Sequence, residues 1–256
     1  MQRAGGSERA APSREVRRLR CISLVLLAAA IAQPAVAQSA PVVAVPLTAF
    51  DSAKVRALLR ERLPCLGCHT LEGTGGISGP DLTHVASRRT PALIEAVIEN
   101  PQRVVPGSVM PRIAMPPRIR ALVTRYLTGG AASGALSATP AVPAIGAAPA
   151  SGAALYARYC ASCHGARGDG EGPNARHLPV RPAVHADAAL MSTKSDDRLF
   201  DAIAVGGYPM GRSPMMPAFG QTLTRDEIWR LVRHLRTLCN CAGPSWSRPS
   251  ARASSP

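Results

Sequence analysis

The chain predicts an all-α fold arranged as two small, similar domains, and three observations carry that reading. Apolar residues recur at helical spacing, and no segment sustains the period-two alternation of a half-buried strand. Two stretches, 50–128 and 151–243, repeat one order of features: a helical run, a C-x-x-C-H motif, a Gly/Pro-rich loop, a second helical run, a Met-Pro, and a final helix. Between them, 129–150 reads GGAASGALSATPAVPAIGAAPA, without charge or aromatic side chain, which is a linker composition. As a flexible coil, 22 residues would span roughly 25 Å.

The elements follow in order. Six arginines (Arg3, Arg9, Arg14, Arg17, Arg18, Arg20), a short apolar run from Ile22 to Ile31 and the small-residue pattern Ala35-Val-Ala37 read as a cleaved secretory signal over residues 1–37. The apolar run is about half a membrane span, so the mature chain is expected to have none. Val55, Leu58, Leu59 and Leu63 mark the first helix, and Leu93, Ile94, Val97 and Ile98 the next, after the start signal Thr90-Pro91. In the second half, Leu155, Tyr156 and Tyr159 precede the motif, and Leu199, Phe200, Ile203 and Ala204 form the run after it. Thr224-Arg-Asp-Glu227 is a capping-box pattern, and Ile228, Leu231, Val232 and Leu235 continue it as the last helix. The tail 244–256, rich in Ser, Pro and Arg, is expected to be disordered.

Composition limits the classes of function. The 256 residues carry a net charge of +14, nine aromatic side chains, and 28 arginines to two lysines. So basic a chain raises nucleic acid, a membrane surface or an acidic protein as partner. Export weakens the nucleic-acid reading sharply. The signal removes a net four positive charges, leaving redox proteins with acidic docking faces as expected partners and peripheral association with a membrane complex as an option.

Cys65-Leu-Gly-Cys68-His69 and Cys160-Ala-Ser-Cys163-His164 carry the chemistry. Each is the C-x-x-C-H signature of c-type haem attachment. Two thiols three residues apart on one helical turn reach the two vinyl groups on one porphyrin edge, and the adjacent imidazole points Nε2 at the iron. A thioredoxin-like motif needs a βαβ context that the pattern lacks. A zinc site would not leave two complete motifs on separate domains. Two covalently attached haems c are therefore the expected cofactors.

With these motifs the chain resembles tandem class I cytochromes c, the dihaem, two-domain kind, over nearly all of residues 50–240. The resemblance implies two domains, each a few helices wrapped around a covalently bound haem. Gly79-Pro80-Asp81-Leu82 looks like the family's GPxL loop, in which the proline carbonyl, here that of Pro80, accepts from the proximal histidine Nδ1–H. Gly172-Pro173 holds a comparable place after His164, without the following Leu. The family's sixth ligand is a Met thioether at a Met-Pro turn. Asn100 to Met110 resembles the NPxxxxPGxxM run, which favours Met110 over Met115; Met216-Pro217-Ala-Phe219-Gly220 looks like the MPxFG turn, which favours Met216 over Met215 and Met210. The implied iron ligands are His69 with Met110, and His164 with Met216.

Other candidates have plainer readings. His84, His177, His185 and His234 are surface, loop or packing residues, although His177 or His185 could replace Met on the second haem and lower its potential. Asp169 and Glu171 are solvated charges. Cys239 and Cys241 are expected to be oxidised outside the cytoplasm, with a tight ring between them, or else to link another chain or capture a metal. The expected function is an electron carrier of the periplasm: a soluble shuttle, or the cytochrome subunit of a dehydrogenase or reductase. The rival is a dihaem oxidoreductase with one haem open to peroxide or a sulfur compound.

Overall fold

The computed structural model describes residues 46–130 and 150–247. The expected signal segment, nearly all of the linker and the tail from 248 onward lie outside the described residues. Among those described, the elements are helices, short 3-10 turns and one hairpin.

Helix α1 (Ala49–Glu61) starts at a capping box: Asp51 N–H donates to Thr48 Oγ1 at 3.0 Å, and Thr48 N–H to the Asp51 carboxylate at 3.3 Å. It buries Val55 and Leu59, one turn apart. Thr90 caps α2 (Pro91–Glu99), whose Pro91 supplies a preset φ where no N–H is needed. The Asn100 side chain caps the short α3 (Pro101–Val104). The last helix of this half, α4 (Pro117–Leu127), packs against both α1 and α2. Arg120 ties α4 to α2, with Nε 3.5 Å from Glu95 and Nη2 3.4 Å from Glu99.

The second half repeats the plan. Ser151 caps α5 (Gly152–Tyr159), α6 (Ala161–His164) carries the second motif, and α7 (Ala188–Ser192) and α8 (Asp196–Val205) follow. Helix α9 (Arg225–Cys239) opens on the Thr224–Glu227 capping box that the sequence predicts. Helices α5 and α9 cross at Gly152, where a Cβ would collide with the Arg230 carbonyl; the small residue lets the two backbones meet.

The mostly helical expectation holds, with three departures. Thr70–Leu71 (β1) and Thr74–Gly75 (β2) form an antiparallel hairpin, Thr70 opposite Gly75, around Glu72 and Gly73, both at positive φ. Strands of two residues are too short to show a period. The first motif sits on a 3-10 turn, Pro64–Gly67, rather than on α-helix. In the tail, Ser245–Ser247 forms one 3-10 turn.

The described residues fall in a single compact unit, so the two halves touch. The second half has its own core, built on Tyr156, Met191, Ile228, Leu231 and Val232. The first core, Val55, Leu59, Leu66 and Val123, is completed by Met215 from the second half, with Leu178 packed beside it. The two cores are distinct, but the first draws residues from both halves.

Candidate haem-attachment centres

Both C-x-x-C-H motifs close with the same bond. His69 N–H donates to the Cys65 carbonyl and His164 N–H to that of Cys160, each at 2.9 Å. One turn of backbone therefore presents two thiols and one imidazole together. The four motif cysteines are unpaired. Burial pushes the Cys65 thiol up to about 11 and that of Cys160 to about 12, and raises Cys68 against a hydrogen bond to Ser78. Neutral, sheltered thiols suit addition of S–H across a vinyl double bond, which requires no external oxidant.

The imidazoles are oriented from behind. His69 Nδ1–H donates to the Pro80 carbonyl at 2.8 Å, the partner implied by the GPxL resemblance. That bond assigns the proton to Nδ1 and leaves the Nε2 lone pair for a metal. Gly79 makes the approach possible, since a Cβ there would lie 2.7 Å from His69 Nδ1 and Cε1. His164 differs from expectation. Its Nδ1–H donates to the Ala183 carbonyl at 2.9 Å, nineteen residues downstream, and not to Pro173. Gly172 N–H donates to the Cys163 carbonyl at 3.2 Å, as Gly79 N–H does to that of Cys68 at 2.7 Å, so the two loops begin alike and diverge only after the glycine. Burial lowers the basicity of both imidazoles, opposed by these carbonyl bonds.

His185 stacks on His164, ring centroids 4.1 Å apart and planes at 15°, with Nδ1 3.0 Å from the Tyr156 hydroxyl. Stacking and the Tyr156 bond hold it directly beside the His164 imidazole. Burial, then the neighbouring His164 and Lys194, presses it down to about 2, so the ring is neutral. His84 is exposed, and His177 takes a bond from Arg176 Nε at 3.1 Å. His234 packs against Tyr156 at the α5–α9 crossing, centroids 5.2 Å apart, as its packing role predicts. Asp169 and Glu171 pair with Arg167 and Arg181 at 3.1 and 2.8 Å.

The methionines separate. Met215 is buried in the first core, whereas Met216 packs on the second, its carbonyl accepting from Gly207 N–H at 2.9 Å. Phe219 N–H then bonds the Ile203 carbonyl at 2.9 Å, fixing the Met216–Gly220 turn to the end of α8. Met110 is half-buried, its carbonyl accepting from Gln102 Nε2 at 2.6 Å. Met115 lines an open cleft of about 420 Å³ with Ile98, Arg112, Arg120 and Gln221. Cys239 and Cys241 form a disulfide at the C-terminus of α9, where Asn240 takes the left-handed conformation (φ 45°).

Residues that no motif marked join the two centres. Asn174, fully buried, accepts from Ile77 and Ser78 N–H at 2.7 and 3.1 Å and donates to the Gly67 carbonyl at 3.1 Å and Ser78 Oγ at 2.7 Å. Its Nδ2 lies 3.7 Å from Cys163 Sγ, itself 4.0 Å from the Gly67 carbonyl. The two motifs are back to back. Only the burial of a polar amide, invisible in sequence, exposes this role.

Comparison with known proteins agrees with this chemistry in the second half. Residues 147–235 match the family model described as cytochrome C oxidase, cbb3-type, subunit III. These residues form a cytochrome c domain. Such a domain implies covalently bound haem c and a part in electron transfer. A chain of the Kuenenia stuttgartiensis reducing HAO-like protein complex is 22% identical over 68% of this chain and 79% of that one. Its TM-score of 0.29 is too low to bear on fold or function. A comparison with curated proteins finds no match. Among the described residues no group of three or more His, Cys, Asp or Glu is arranged to hold a bare metal ion, and no helix is long and apolar enough to cross a membrane.

The residues at both motifs fit haem c. Each offers two adjacent thiols and an imidazole whose second nitrogen is already bonded to a carbonyl.

Proposed function

We propose that the protein is an exported dihaem c-type cytochrome that carries electrons one at a time between periplasmic redox partners. The observation that carries this reading is the matched geometry of Cys65–His69 and Cys160–His164: the same closing bond, and Nδ1 of each imidazole bonded to a backbone carbonyl. A haem c with His and Met axial ligands exchanges single electrons without an open coordination position. His69 with Met110 and His164 with Met216 are the ligand pairs.

The chain's own residues do the rest. Pro80 and Ala183 hold the imidazoles at fixed orientation, and Gly207 and Gln102 hold the methionine loops, so both oxidation states meet the same donors. Asn174 keeps the two attachment motifs in contact, which favours a relay within one chain over two independent carriers. The excess of arginine favours partners with acidic faces.

Haem quantitation and the ferric absorption spectrum of the purified full chain test the reading. Two covalent haems per chain are expected, with the long-wavelength iron–methionine band at the intensity of two sites. A single haem overturns the dihaem reading. A high-spin component that takes up cyanide or peroxide overturns the carrier in favour of the dihaem oxidoreductase.

A further inference from the structure

The loop that carries Met110 is almost bare of backbone support. From Val105 to Pro116 it has no regular structure, and its one internal backbone bond is Ser108 N–H to the Val105 carbonyl at 3.0 Å. Twelve residues held so loosely would not keep a thioether at fixed position, because each unfixed backbone residue retains substantial conformational entropy. Side chains do the holding. From the same half, Gln102 donates to the Met110 carbonyl at 2.6 Å, and Ser108 Oγ accepts from Met110 N–H at 3.2 Å. The other two anchors come from the second half. Arg158 Nη2, on α5, donates to the Gly107 carbonyl at 2.7 Å, three residues before Met110. Thr222 Oγ1, just ahead of α9, accepts from Arg112 N–H at 2.8 Å, two residues after it.

We infer that the second half clamps the distal ligand loop of the first, with Arg158 and Thr222 as positioning residues for Met110. The inference rests on the reading of Met110 as the sixth ligand of the first haem. Both anchors sit beside elements of the second centre. Arg158 lies two residues before Cys160, and Thr222 two residues beyond the Met216–Gly220 turn. Met215, next to the second ligand, is seated in the first core. Ligation of one haem is thereby coupled to the folding of the other's domain.

The test uses the full-length holoprotein with Arg158→Ala, Thr222→Val and the double variant. In each, the iron–methionine band should fall, toward about half its intensity in the double variant, and the ferrous protein should bind carbon monoxide at one haem. Thr222→Ser keeps the hydroxyl and should behave as wild type. Amide exchange at Arg112 should speed up in Thr222→Val, a readout that does not depend on the iron. Met110→Ala separates the two levels of the argument. If it leaves the band intact, the ligand reading fails. If it halves the band while the double variant keeps full intensity, binds no carbon monoxide and leaves Arg112 exchange unchanged, the clamp is overturned. Adding Arg158→Ala to Met110→Ala should have no further effect on the band, and a further loss would place the action of Arg158 at the second haem.

Discussion

Gly79 shows how much one missing carbon controls. With a Cβ, the imidazole of His69 would have to leave the Pro80 carbonyl or the loop would have to move, since the contact would be 2.7 Å. Gly79→Ala is therefore expected to lower stability by about 1–3 kcal/mol, the usual cost of overpacking, measured by denaturant unfolding. It should also raise the potential of one haem in a redox titration. A weaker bond at Nδ1 makes the ligand less basic and favours the ferrous state. The second imidazole is held differently, by the Ala183 carbonyl on one side and the stacked ring of His185 on its face. The two centres of a duplicated plan thus differ at residues that the motif does not contain. GPxL named Pro80 correctly. No local pattern could name Ala183, because the loop between positions 172 and 183 must fold back before its carbonyl meets the ring.

Among the elements, boundary chemistry was legible wherever a side chain both caps and precedes an apolar run. The Thr224–Glu227 box and Thr90-Pro91 start their helices as read. Thr48 and Asp51 form the same device at α1 without having been singled out. Thr224→Ala is expected to cost about 1 kcal/mol, by loss of the acceptor for Glu227 N–H, and equilibrium unfolding would register it. The price of a short element is that pattern fails it. The β1–β2 hairpin has too few residues to alternate, and the 3-10 turn at the first motif ends on Gly67, a residue unsuited to an α-helical interior. What places the ligand loops is not helix propensity but the contacts made at their ends.

At the scale of the molecule, the described halves pack against each other in one compact unit. Met215 crosses into the first core, and Asn174 satisfies backbone groups of the opposite half. Met215→Ala should destabilise by about 2–5 kcal/mol, the range for emptying a buried methionine site, and, on the dihaem proposal, the signals of both haems should report one shifted unfolding transition. Two separated transitions, with only the second-half signal shifted, would contradict this packing. The scarcity of aromatic side chains belongs to this scale too. Chains that enclose a large apolar cofactor need fewer large side chains of their own, and the fully buried residues of the first core are aliphatic or methionine, with Tyr126 packed against them.

By itself the sequence determined the helical class, the duplicated plan and both pairs of thiols with their imidazoles. Each depends on neighbours a few residues apart, where spacing and covalent geometry leave little choice. Tertiary structure alone decided which carbonyl orients His164, that His185 stacks on it, and which of Met215 and Met216 faces its own core. It also brought Arg158 and Thr222 to the loop of Met110. Those outcomes turn on groups tens of residues apart, brought together only when burial of the two cores fixes how the halves meet.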